Sequence, residues 1–165
     1  MARWTANARN WTPVGVADAS NMTANGYMIL QGGSSTQRTN IVEVYMGGLG
    51  TSSAPSAMIV ARDSQVATGT LSGGFIASLD PATANLAAMP TNGIAANTTQ
   101  PQRSATLQLL QVAFNMFGGV VRWVAAPGEE IGMLGNTASN GEISLSALNT
   151  GTQAAMSSHF IFEPF

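Results

Sequence analysis

The chain of 165 residues contains no lysine, and its only basic side chains besides one histidine are six arginines. Charged residues make up 8% of the sequence, against about 25% in an ordinary soluble domain. An isolated folded protein relies on charge for solubility and for repulsion between copies. Small polar residues and alanine must therefore form most of this surface. Such a surface is tolerated where other protein covers it, so the composition predicts a subunit of an assembly.

Cysteine is also absent, which excludes disulfides and thiolate metal sites and fits synthesis in a reducing cytoplasm. The N-terminal residues lack the apolar segment of a signal peptide, and no stretch approaches the ~18 consecutive apolar residues of a membrane helix. Six scattered arginines in a chain of net charge −2 do not form the basic stripe of a nucleic-acid binder. We therefore expect neither a membrane nor a specific nucleic acid as a partner.

Short strand patterns separated by glycine, serine, asparagine and proline follow one another from Gly26 to the C-terminus. Convincing helical patterns are almost absent. These patterns predict an all-β fold, an antiparallel double-sheet sandwich of the jelly-roll type. The nine strand candidates are Tyr27–Gln31, Arg38–Met46, Ser56–Ala61, Phe75–Leu79, Ala105–Phe117, Val120–Ala125, a short strand after the turn at Pro127–Glu130, Glu142–Leu148 and Met156–Glu163.

The segment Ala105–Phe117 fits both a helical stripe and a strand face. The Gly118-Gly119 pair ends it, and a second apolar strand follows at once. This arrangement favours a hairpin over a helix. In the second strand we expect Val121 and Trp123 to face the core and Arg122 to face solvent.

Residues 1–12 show neither helical nor strand periodicity and are predicted to form an extended N-terminal arm. Tryptophan is enriched at interface hot spots, and arginine donates well to carbonyls and carboxylates. We therefore expect the arm to reach a neighbouring subunit through Arg3, Trp4, Arg9 and Trp11. The alternative is that both tryptophans cover the core of their own domain.

Residues 13–165 are predicted to form the jelly-roll domain. Within it, residues 80–104 contain three prolines, two charges and much alanine, threonine and asparagine. A connection of this length usually has a function of its own. We expect a long contact loop at 80–104, with a short helical turn near Ala82–Ala88.

The sequence predicts no catalytic residue, metal ligand or cofactor. His159 is the only histidine, and on a strand it points away from Phe160 and Phe162, so we expect it at the surface or at an interface. One histidine cannot form a cupin-like metal site. Glu129 and Glu130 are adjacent, so on a strand they face opposite sides and make a poor acid–base pair. The chain is therefore predicted not to be an enzyme.

Two stretches resemble structural proteins of tailed bacteriophages: Arg38–Gly48 with Ala54–Ser64, and Pro101–Ser104 through Phe117–Glu130. Across roughly residues 26–165 the strand layout is similar to that of jelly-roll head decoration (cement) proteins. The resemblance implies a virion protein on the head exterior, which binds the major capsid protein and copies of itself and braces the head lattice. It implies trimers or dimers, with trimers favoured. A likeness to trimeric jelly rolls of the tumour-necrosis-factor type concerns the fold alone.

Other classes of function fit parts of the sequence. A minor capsid or tail protein would share the same composition. A carbohydrate-binding jelly-roll module would use Trp4, Trp11 or Trp123 as sugar platforms. A cupin-type or other β-sandwich enzyme would need a polar constellation in a pocket, for which the sequence offers only isolated candidates. A structural virion protein accounts for the low charge and the missing lysine and cysteine together, and is the favoured hypothesis.

Overall fold

The computed structural model describes residues 2–83, 86 and 88–165, which form eleven β-strands and no helix. All the strand pairs run antiparallel, which confirms the predicted class. The strands are β1 (Trp4–Trp11), β2 (Tyr27–Gln31), β3 (Arg38–Gly48), β4 (Pro55–Gln65), β5 (Leu71–Ser78), β6 (Thr91–Ala96), β7 (Gln102–Asn115), β8 (Val120–Val124), β9 (Ile131–Leu134), β10 (Glu142–Gly151) and β11 (Met156–Pro164).

The strands form two sheets packed on one another. The first sheet has the order β1, β11, β3, β8, and β9 also pairs with β3. The second has the order β6, β2, β10, β4, β7. Strand β5 pairs with β1 through its C-terminal half and with β6 through its N-terminal half, so it joins the sheets on one side. The chain crosses repeatedly between the two sheets, as in a jelly roll, and the predicted sandwich is confirmed.

One hydrophobic core fills the space between the sheets. Ile143 and Leu145 of β10 meet Phe160 and Phe162 of β11 there, and all four are fully buried. In β10 these apolar residues alternate with serines, and in β11 buried residues alternate with partly exposed ones, as successive side chains of a strand point to opposite faces. Methionines fill irregular gaps between these side chains. The buried methionines in the strands and turns of this core are Met28, Met46, Met58, Met116, Met133 and Met156.

Residues 1–12 are not an arm, contrary to the prediction. Residues 4–11 form β1, an inner strand of the first sheet between β5 and β11. Trp4, Ala6 and Ala8 occupy every second position of the strand and face the core. Alanine is only weakly apolar, so the sequence does not show a clear alternation of apolar and polar residues here. A register shift at Asn10, where φ is 49°, then turns Trp11 inward as well. The alternative expectation is confirmed, because both tryptophans cover the core of their own domain.

Residues 80–104 are not one long loop either. Strand β6 lies within this segment and pairs with both β2 and β5. Asn92 and Gly93 are poor strand formers, and Pro90 and Pro101 flank the segment, so its sequence does not read as a strand. The Asn92 amide compensates by donating to the backbone oxygens of Asn7 and Phe75, at 3.0 and 3.2 Å. The helical turn predicted near Ala82–Ala88 falls on residues that lie partly outside the described ones.

Candidate interaction surface

The two sheets do not close on each other along one side of the sandwich, here called the open side. Strand β7 pairs only with β4, and β8 only with β3, within the described residues. The turn at residues 116–119 joins the two strands across this side, and both predicted strands are present. The predicted hairpin is wrong, because β7 and β8 lie in different sheets and do not pair with each other. Each strand therefore presents one row of backbone groups without a strand partner. Such an edge is able to pair with another chain.

The core residues beneath the open side are only half-buried. Leu110, Val112 and Phe114 of β7 point towards the core, as do Val121 and Trp123 of β8. The predicted orientation of β8 is confirmed. All five keep intermediate exposure, because no strand or loop among the described residues covers this side.

Other apolar side chains on the open side face solvent. On β8, Val120 and Val124 are 63% and 56% exposed, and Leu107 and Leu109 of β7 are also exposed. The sequence from Ser104 to Val121 contains no charged residue and no proline. Charges and prolines are the usual means by which natural edge strands avoid association. The open side thus combines unpaired backbone and apolar surface, with no charge from Ser104 to Val121, and these are properties of an interface. The exposed charge on β8 is Arg122, which pairs with Glu43.

The four residues predicted to contact a neighbour divide into two pairs. Trp4 and Trp11 are buried, at 3% and 2% exposure, so the prediction is wrong for both. Arg3 and Arg9 are exposed. Arg3 Nε donates to Glu163 Oε1 at 2.7 Å, and the Arg9 guanidinium carbon lies 4.8 Å from the centre of an aromatic ring. For these two arginines a role at an interface stays a prediction.

His159 lies on the outer face of the first sheet, opposite the buried Phe160 and Phe162, as predicted. Its ring stacks on Tyr45 with the centroids 4.9 Å apart, and its Nε2 is 3.2 Å from Glu43 Oε1. Arg122 Nη2 donates to the other oxygen of Glu43 at 2.7 Å, and this hydrogen bond holds the pKa of Glu43 below its ordinary value. These partners come from β3 and β8, so no local spacing in the sequence could indicate them.

A buried polar network lies on the outer face of the second sheet, where residues 12–26 cover it. Arg103 is completely buried and donates to Asp18 Oδ1 at 2.5 Å and to Ser146 Oγ at 2.7 Å. It also donates to the backbone oxygens of Val16 and Ala147, at 2.8 and 3.1 Å. A buried guanidinium with this many acceptors fastens the covering segment to the sheet. Sequence patterns do not distinguish this arginine from the exposed ones.

Asp63 and Glu142 belong to the same network and are both completely buried. Ser144 Oγ donates to Asp63 Oδ1 at 2.5 Å, and the Ala67 backbone nitrogen donates to Glu142 at 3.0 Å. Burial, together with the neighbouring Glu142 charge, raises the pKa of Asp63 well above its ordinary value. Burial likewise raises the pKa of Glu142 to about 7. Neither carboxyl is reached by solvent, so the pair acts within the fold.

Comparison with known proteins adds no family to these observations: no protein-family model and no curated protein matches the chain. Among the described residues, no three histidine, aspartate or glutamate side chains are grouped so that they could hold a metal ion. The same residues include no helix long and apolar enough to cross a membrane. The open side, with its unpaired strand edges and exposed apolar residues, is the feature on which the proposed function rests.

Proposed function

We propose that this chain is a non-enzymatic structural subunit that associates with copies of itself, and that it decorates the head of a tailed bacteriophage. The observation that carries the first part is the open side, a pair of apolar edge strands with no charged residue from Ser104 to Val121. The second part takes its support from the sequence resemblance to jelly-roll decoration proteins. The same resemblance favours trimers and implies that the partner is the major capsid protein.

Burial of apolar surface is the driving force for the proposed association. Each Å² of apolar surface removed from water contributes about 25 cal/mol before the costs of association. The half-buried Phe114 and Trp123 and the exposed Val120 supply such surface on one side of the molecule. A charge-free strand also offers its backbone groups without repulsion between identical chains. The low total charge of the protein fits a surface of which much is covered in the assembly.

The carbohydrate-binding alternative receives less support from these residues. Two of its three candidate platforms, Trp4 and Trp11, are in the core and cannot contact a sugar. Only Trp123 retains partial exposure, and it lies on the open side. A minor capsid or tail protein would use the open side in the same way as a decoration protein, so location within the particle separates these roles.

Cryo-electron microscopy of the phage particles that contain this protein, combined with labelling by an antibody against the chain, tests the virion role. We expect many copies on the exterior of the head, clustered at symmetry-related lattice positions. Copies found only in the tail, or particles that lack the chain, would overturn the decoration role. Self-association is measured separately on the purified protein, so the two parts of the proposal can fail independently.

A further inference from the structure

The arginines of this chain differ in what balances their charge. Three lie within 4 Å of a carboxylate and one lies over an aromatic ring, namely Arg3, Arg103, Arg122 and Arg9. The other two, Arg38 and Arg62, form no ion pair with any carboxylate of the described residues. Both line the same cleft. Two uncompensated cations at one place are notable in a protein with only six arginines.

The cleft lies at one end of the sandwich, beside the start of β3, strand β9 and the turns that precede and follow β9. Its volume is about 430 Å³, within the range of about 300–1,000 Å³ that is usual for small-molecule sites. Arg62 reaches it from β4 in the second sheet, whereas Arg38 comes from the first sheet. The cleft is therefore lined by one arginine from each sheet.

Hydrogen bonds to neutral acceptors hold Arg62 in the wall of the cleft. Its Nη2 donates to the backbone oxygen of Gly132 at 2.5 Å, and its Nη1 lies 3.4 Å from that of Asn140. These carbonyls orient the guanidinium but do not neutralise it. Partial burial without a counter-charge lowers the pKa of Arg62 below its ordinary value. An anion in the cleft would remove this electrostatic penalty.

Two further groups of the cleft bear on what it would bind. Glu130 is the only acidic residue in the lining, and its carboxylate accepts from the Gly128 backbone nitrogen at 3.2 Å, within its own turn. Two arginines and one glutamate leave the lining with a net charge of +1. On the same wall, Asn40 Oδ1 is buried and has no hydrogen-bond partner among the described residues. The cleft thus has both an unbalanced positive charge and an unmet polar group.

We propose that this cleft binds a small molecule through an oxyanion, a carboxylate or phosphate group, held by Arg38 and Arg62. The guanidinium fork matches the geometry of both groups and forms paired hydrogen bonds with either. This site is separate from the open side and does not depend on the proposed assembly role. A small acidic metabolite and an acidic sugar unit both carry a group of this kind.

Isothermal titration calorimetry of the full chain at constant ionic strength tests this site. The probes are inorganic phosphate, for the phosphate group, and glucuronate, for a carboxylate on a sugar. We expect saturable binding of at least one probe with a Kd of about 1 mM or tighter. Saturation by phosphate alone assigns a phosphate ligand, and saturation by glucuronate alone assigns a carboxylate. The absence of saturation by either probe up to about 10 mM, tenfold above that Kd, would overturn the proposal.

Variants of three charged residues assign the binding to this cleft. Arg38→Gln and Arg62→Gln are each expected to weaken binding at least tenfold, whereas Glu130→Gln removes a repulsive charge and is expected to tighten it. Arg3→Gln, which removes an exposed arginine outside the cleft, is the matched control and should bind as the unmodified chain does. Arg38 is exposed, so Arg38→Gln should not destabilise the fold. If Arg62→Gln unfolds, the binding measured for Arg38→Gln therefore tests the site by itself. Equal weakening by Arg3→Gln and Arg38→Gln would mean non-specific charge attraction and would contradict the site.

Discussion

The indole Nε1 of Trp11 donates a buried hydrogen bond to Ser158 Oγ across 3.0 Å. The same hydroxyl lies 3.0 Å from the sulfur of Met28, which belongs to the opposite sheet. One group of side chains therefore ties the first strand, the last strand and the second sheet together. Strand β1 has neighbours on both sides and is part of the structural frame of the domain.

Replacing Trp11 with alanine is expected to destabilise the domain itself. Truncation of a buried tryptophan typically costs about 3–5 kcal/mol, because apolar contacts are lost and a cavity remains. Urea unfolding monitored by circular dichroism measures this change in the free energy of unfolding. The control is Arg9→Ala on the same strand, which removes only an exposed cation–π contact and should cost about 1 kcal/mol or less. Unchanged stability of Trp11→Ala together with weakened assembly would instead support the arm.

Arg103→Ala is expected to be among the most damaging substitutions. Removing one partner from a fully buried ion pair costs about 3–5 kcal/mol. The Asp18 side chain is 30% exposed, so we expect the lower end of this range. Here Asp18 would lose its cation, and the segment at residues 12–26 would lose its attachment to the second sheet. Arg3→Ala breaks the exposed ion pair with Glu163 and serves as the control, with a far smaller effect expected. Similar midpoints of thermal unfolding for both variants would show that the buried network does not fasten this segment.

The buried pair of Asp63 and Glu142 predicts that stability falls as the pH rises. Burial raises the pKa of Glu142 from 4.5 to about 7, so over this window the folded state retains a proton that the unfolded state releases. Its contribution is complete below the lower value and is lost as the pH passes 7. Glu43, whose pKa is held low, acts in the opposite sense only at more acidic pH.

Urea unfolding between about pH 5 and pH 8 measures this dependence. Glu142→Gln stays neutral throughout and retains an oxygen for the Ala67 backbone nitrogen, so its stability should change much less over the range. Glu129→Gln, at an exposed turn, should keep the unmodified pH dependence. A Glu142→Gln protein that loses stability with pH as steeply as the unmodified one would rule out Glu142 as the cause.

Association through the open side should persist in high salt. Salt screens interactions between charges, and the open side carries none between Ser104 and Val121. Sedimentation velocity in low and in molar sodium chloride measures the fraction of assembled protein, and we expect no loss. Dissociation into monomers at moderate salt would indicate an interface built on ion pairs elsewhere on the surface.

The strands that sequence patterns identify best are those with strong contrast between their faces. Glu142–Leu148, with Ile143 and Leu145 against Ser144 and Ser146, is extended only at its end in the structure, to Gly151. Strand β1 escapes such patterns because two of its inward residues are Ala6 and Ala8. Strand β6 escapes them because hydrogen bonds from Asn92 to other strands replace apolar contrast. Both strands are fixed by contacts with residues that are distant in the sequence, and local sequence patterns do not show such contacts.

Sequence patterns predict the candidate sites less well than they predict the fold. The low charge of the chain indicates an assembly, but which side is exposed depends on where the sheet order ends, at β7 and β8. Likewise Arg38 and Arg62 stand 24 positions apart in the sequence and belong to different sheets, yet both line one cleft. The buried tryptophans show the converse error, since an interface-prone residue type says nothing about whether it faces outwards.

The molar mass in solution tests the central claim most directly, that the open side joins copies of this chain. Light scattering coupled to size-exclusion chromatography at micromolar concentration should give a multiple of the 17.0 kDa monomer, with a trimer favoured. Leu109→Lys places a charge on the edge of β7 and should shift the protein to monomers. Leu79→Lys, at a residue that is 52% exposed outside β7 and β8, should leave the mass unchanged. A monomeric unmodified protein, or a Leu109→Lys variant that assembles fully, would contradict the account.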